Sequence, residues 1–196
     1  MRNLKTFLIA TTAIVALSSC SKDNNTPQPA KPNPGQEEKP TPELQGNGKV
    51  SLQFENYVGN EKLTLGADAN AAKAYTSNGQ TLKFSEVKYV ISNIRLIKTD
   101  GKVVDYNSDN LDTGAFVLDQ SKPTSLKIDL NNLPTGQYKE IQFDYGIRKE
   151  LNNLDETKFP KFYNAAGEND TRMHWEWGKG YRFTKIEGFW GDQDKP

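Results

Sequence analysis

Val87-Lys88-Tyr89-Val90-Ile91-Ser92-Asn93-Ile94-Arg95-Leu96-Ile97 is the stretch whose reading decides the fold. It is apolar at odd and even positions alike and rich in β-branched residues. A strand with one wet face alternates, so this one is expected to be covered on both faces, in the middle of a sheet. A helix is the rival, but the run lacks a clear 3.6-residue period. Ser92-Asn93 interrupts the apolar residues and reads as a bulge.

Moving outward, the neighbouring segments alternate with period two. Val50, Leu52 and Phe54 do so, as do Leu126, Ile128 and Leu130, and again Ile141, Phe143, Tyr145 and Ile147. Each predicts an antiparallel strand with one buried face. Asn78-Gly79 and Asp100-Gly101 are hairpin turn signals, the second leading into Val103-Val104. Leu133-Pro134-Thr135-Gly136 is a further turn, with Tyr138 opening the next strand. The whole predicts an all-β, antiparallel β-sandwich over residues 49–196. Arg148 to Asp170 breaks the pattern and reads as a long loop with one helical turn, anchored by Phe159, Phe162 and Tyr163. Thr171 to Ile186 reads as two strands around Gly178-Lys179-Gly180, and after Phe189-Trp190 only a polar stub follows. The sandwich is therefore expected to be incomplete here, with the chain a fragment or its closing strands lying elsewhere.

Residues 1–19 have the parts of an export signal. Arg2 and Lys5 supply positive charge, and Phe7 to Leu17 form an apolar run well short of the roughly 20 residues a spanning helix needs. Leu17-Ser18-Ser19-Cys20 resembles the bacterial lipobox, in which the cysteine is acylated and the chain is cut just before it. Cys20 is the only cysteine, so once it is acylated no disulfide can form and no thiolate is offered to a metal. A lipid anchor to the membrane follows. Residues 20–48 then form a disordered tether, in which Pro27, Pro29, Pro32, Pro34, Pro40 and Pro42 leave Leu44 almost alone as a large apolar residue. Ser21-Lys22-Asp23-Asn24 resembles the signal that follows the lipidated cysteine in surface-exposed lipoproteins of Bacteroidetes. An outer-membrane lipoprotein displayed at the surface is expected, with a periplasmic-facing orientation as the alternative.

Lysine plus arginine and aspartate plus glutamate are equal at 25 each; without Arg2 and Lys5 the balance is 23 against 25, or −2. No basic stripe appears, which argues against nucleic acid as a partner. No G-x-S-x-G nucleophile motif is present, and a single histidine excludes mechanisms that need two; a carboxylate pair stays open among the many acidic residues, but catalysis is not expected.

Met173-His174-Trp175-Glu176-Trp177 is the one stretch with chemical character. It holds the only histidine, one of two methionines and two of three tryptophans. On a strand, Met173, Trp175 and Trp177 share one face, and His174 and Glu176 the other. That face of Met and Trp reads either as core, with His174 and Glu176 a surface pair, or as part of a metal site. Imidazole and thioether are both copper ligands, and Met tends to select Cu(I).

These residues, with Gly180-Tyr181-Arg182-Phe183 and Glu187-Gly188, resemble the M-H-W-x-W-x-x-G-Y-x-F-x-x-x-E-G block of MbnP-like proteins, a copper-associated family named from the methanobactin cassette. Phe84-Ser85 with Tyr89 and Ile91-Ser92-Asn93 is similar to the family's F-S-x-x-x-Y-x-I-S-N strand. Pro134-Thr135-Gly136-Gln137-Tyr138 with Ile141-Gln142-Phe143 is similar to its P-x-G-x-Y-x-x-I-x-F turn. The resemblance covers roughly Lys49 to Gly188. It implies a copper-binding β-sandwich, in some members with a tryptophan oxidised to kynurenine by a partner dihaem peroxidase. Carried over, His174 is the ligand candidate, Met173 a weaker one, Trp175 a contributor to the site, and Trp175 or Trp177 the oxidation candidate. Two departures stand out. The family carries a further histidine beyond its E-G, past the end of this chain, and its F-G-x-G region appears here as Phe143-Asp144-Tyr145-Gly146. A carboxylate or a second chain would then have to complete the ligand set. The expected function is non-catalytic copper capture or handling in the cell envelope. The alternative is a surface module that binds carbohydrate or protein on Trp175, Trp177, Tyr181 and Trp190.

Overall fold

The computed structural model describes residues 11–13, 46–167, 172–175 and 180–191. Cys20, most of the tether, Glu176 and Trp177 lie outside them. The elements in chain order are β1 (Thr11–Ala13), β2 (Gly48–Val58), β3 (Glu61–Lys62), β4 (Tyr75–Ser77), β5 (Gln80–Lys98), β6 (Val103–Tyr106), α1 (Leu111–Gly114), β7 (Phe116–Asp119), β8 (Lys127–Leu133), β9 (Tyr138–Tyr145), α2 (Pro160–Gly167), β10 (His174–Trp175), β11 (Gly180–Tyr181) and β12 (Thr184–Trp190). All the strand pairings are antiparallel.

β5 is the axis of the molecule. It is 19 residues long and pairs with β4, β7 and β6 along one edge and with β12 and β9 along the other. The second sheet is built on β2, which pairs with β8, β1 and β3 in turn along its length. This is the expected antiparallel sandwich. Leu52 and Phe54 of β2, with Ile128, Leu130 and Leu133 of β8, pack against Tyr89, Ile91, Ile94 and Leu96 of β5. Each such side chain, fully buried, is worth about 1.5–3 kcal/mol against its exposed state.

The double parity of β5 has two causes. One is the expected cover on both faces: Val90 belongs to a second core with Leu111 of α1 and Phe162 and Ala166 of α2. The other is a change of phase. Val87, Tyr89 and Ile91 are odd, Ile94 and Leu96 are even, yet all five lie in the first core. The pairing with β9 shifts between Ser92 and Arg95, and Asn93 takes φ 50, the left-handed region that asparagine tolerates. One extra residue there flips the parity. Ser92 Oγ donates to the Gly146 carbonyl and Asn93 Nδ2 to Asp144 Oδ2, which pins the bulge. A second shift, opposite Glu187 and Gly188, brings Phe84 into the same core.

Turns fall where the sequence places them. Asn78 and Gly79 both have positive φ, as does Gly101. The long loop does not keep to expectation: residues 160–167 form two turns of helix, not one, and a short helix, α1, precedes β7. The last strand also runs on through Phe189 and Trp190.

Buried charge sits on the α2 side of β5. The Lys88 ammonium lies 2.5 Å from Glu86 and 3.7 Å from Asp119, and Lys185 of β12 lies 2.5 Å from the other Glu86 oxygen. Burial alone would push the Glu86 carboxyl up; hydrogen bonds from Lys185 and Lys88 outweigh it and hold it below the usual range.

Candidate metal centre at His174

The site is assembled on the second core. Asp155 opens the approach to α2, its carboxylate accepting from Thr157 and the Lys158 amide, and Pro160 occupies the first helical position. Phe159, Phe162 and Ala166 recur at helical spacing and are buried. Asp112 of α1 accepts from the Phe162 amide, one of the free N–H groups of the first turn. The two helices are thus tied by a hydrogen bond and by apolar contact.

The other end of α2 meets the strand that carries the histidine. Ala166 has one of the helix's last carbonyls, and the Met173 amide donates to it at 2.7 Å. Met173 in turn accepts from the Arg182 amide, and β10 pairs with β11 through His174–Tyr181 and Trp175–Gly180. Asn152 Oδ1 accepts from the Tyr181 amide, which fastens β11 to the loop before the helix. A Cβ at Gly180 would come within 2.9 Å of the Asn152 amide group, so a larger residue there would displace the side chain that holds the Tyr181 amide.

His174 is half-buried, and its Nε2 lies 2.9 Å from the Tyr163 carbonyl oxygen of α2. Its ring packs at 4.2 Å from the Tyr163 ring and at 5.5 Å, edge to face, from the Tyr181 ring. Tyr181 is buried, and its hydroxyl has no hydrogen-bond partner among the described residues. Desolvation, then the nearby Tyr163, Asp112 and Asp155, pushes that phenol up to about 12, so it stays protonated.

The expected site residues part company here. Met173 is fully buried in the second core, among the side chains that hold α2. Trp175 is 52% exposed, so it does not share a buried face with Met173 as an ideal strand would require. Trp177 lies outside the described residues. The sequence marked Tyr163 only as an apolar anchor of the long loop, and did not point to Gly167 or Asn152. Pro160, followed by Phe162 and Ala166, was the signal for the helix that brings the first two to the histidine.

A neutral imidazole fits a metal through whichever nitrogen keeps its lone pair. A carbonyl only accepts, so Nε2 carries the proton and Nδ1 is the available donor. Among the described residues no group of three His, Cys, Asp or Glu side chains gathers that could hold an ion by itself. The described part of the site therefore offers copper one well-oriented imidazole.

An antiparallel sandwich with a helical arm that presents one histidine among aromatic rings defines the class. The chain belongs to the MbnP family, whose model matches residues 47–196. Searches of curated proteins and of solved structures found no match.

Proposed function

We propose that this chain is a copper-binding lipoprotein of the cell envelope that captures or handles the metal without catalysis. Family membership supports copper. The observation that carries the site is the hydrogen bond from His174 Nε2 to the Tyr163 carbonyl. Metal-bound histidines commonly donate their other ring nitrogen to such an acceptor. His174 supplies an imidazole, Met173 is buried in the core that holds α2, and Trp175, next in the chain, stands exposed within reach of a partner dihaem peroxidase. Cys20 carries the lipid that holds the body at the outer membrane. When bound, copper would supply a soft, redox-active centre; the chain's own part is to orient the imidazole and wall one side of it with apolar rings. The test is competition for Cu(I) against a chromogenic chelator, with wild type and His174→Ala. Stoichiometric binding that is lost in the variant is expected, and equal binding by both removes His174 from the site.

A second reading has one observation in its favour. Trp175 and Trp190 are 52% and 67% exposed, as platforms for sugar rings or a protein surface would be. Saturable binding in a glycan screen that survives His174→Ala and fails in Trp175→Ala or Trp190→Ala would support it.

A further inference from the structure

We propose that α2 is a positioning device that, through the Tyr163 carbonyl, fixes His174 as the Nε2–H tautomer and so makes Nδ1 the metal-facing atom, with Gly167 the residue that lets the ring lie there. The metal half of this rests on the copper reading above; the tautomer half does not.

The Tyr163 carbonyl has two lone pairs and no proton to give, so a nitrogen at 2.9 Å has to be a donor. In water a neutral imidazole exchanges between tautomers; here one of them would set a nitrogen lone pair against a carbonyl lone pair. The ring cannot easily swing away. Tyr163 covers it at 4.2 Å and Tyr181 meets it at 5.5 Å. The backbone on either side is pinned by Met173 N to Ala166 O and by the pairing with β11.

Gly167 is what makes the approach possible. A Cβ at that position would sit 1.9 Å from the ring's Cε1, 2.2 Å from Nδ1 and 2.3 Å from Nε2. Any other residue would force the imidazole off the helix and away from the Tyr163 carbonyl. The helix thus reaches the metal only through the imidazole, which makes Gly167 and the Tyr163 backbone positioning elements and not ligands.

The chain has a single histidine, so long-range proton–nitrogen NMR on histidine-labelled protein reads this ring alone. In mildly alkaline, metal-free buffer we expect Nε2 protonated and Nδ1 with the shift of a bare lone pair. Adding Cu(I) should move Nδ1 and leave Nε2 protonated. Gly167→Ala should average the tautomers or reverse them, and lower Cu(I) affinity about 10- to 100-fold, the usual cost of losing an outer partner of a metal-bound histidine. An averaged or Nδ1–H ring in the wild type overturns the proposal whatever copper does, as does a Gly167→Ala protein with wild-type tautomer and affinity. Should that variant fail to fold by circular dichroism, the wild-type spectrum decides. A wild type with the Nε2–H ring that binds no copper sinks the copper reading and leaves the tautomer assignment standing.

Discussion

Met173 separates packing from ligation, and its substitution can be worked through in numbers. The side chain is 0% exposed and belongs to the core that joins α2 to β5. Truncation to alanine removes three heavy atoms, or roughly 2.4 kcal/mol of transfer free energy at about 0.8 kcal/mol per buried methylene-sized group. A residual cavity adds to this, and buried Met→Ala changes fall at about 2–5 kcal/mol, so about 3 kcal/mol is expected. At a urea m-value of about 1–3 kcal/mol per molar, the unfolding midpoint should drop by roughly 1–3 M. Met173→Leu conserves volume and should cost less than about 1.5 kcal/mol. Urea unfolding followed by tryptophan fluorescence measures both, and Cu(I) competition is run on the same samples. The reasoning is refuted if Met173→Ala is as stable as wild type. It is equally refuted if Met173→Leu folds normally but loses copper, because the thioether would then be a ligand and not core.

Three further substitutions probe the same frame. Tyr181→Phe deletes a buried hydroxyl that has no partner among the described residues, so stability should hold or rise by up to about 1 kcal/mol in urea unfolding; a clear loss would mean the hydroxyl is hydrogen-bonded. Asn93→Ala places an ordinary side chain at φ 50 and removes the bond to Asp144, and should cost about 1–2 kcal/mol, with Asn93→Gly milder; equal stability of Ala and Gly variants would argue against a left-handed bulge. The Glu86 carboxyl is held below its usual range, so its contribution is fully present above the unfolded-state value and is lost as pH falls through the lower folded-state value. Urea unfolding across mildly to strongly acidic buffers should therefore show wild type losing stability faster than Glu86→Gln, and parallel curves would count against the Lys88–Glu86–Lys185 network.

Much of the fold was legible because period-two patterning and turn chemistry are local. The strands around Leu52, Ile128 and Ile141, and the Asn78-Gly79 and Asp100-Gly101 turns, each followed from residues within a few positions of one another. The Ser92-Asn93 bulge was legible too, as an interruption, although its effect on parity needed the partner strand. The helix at Pro160–Gly167 was read short, because its apolar positions are few and its stability comes from packing on Val90 and α1, not from its own sequence.

The candidate site divides along the same line. The sequence alone singled out His174, the only imidazole in the chain, within a block that resembles the family's. Only the tertiary structure decided what the residues around it do. It sent Met173 into the core and Trp175 to solvent, and it placed the Tyr163 carbonyl and Gly167 against the ring. Tyr163 stands 11 positions before the histidine, and the bond goes to its backbone, which every residue has. No residue type or spacing can announce such a contact, because which carbonyl meets the imidazole depends on where the helix docks.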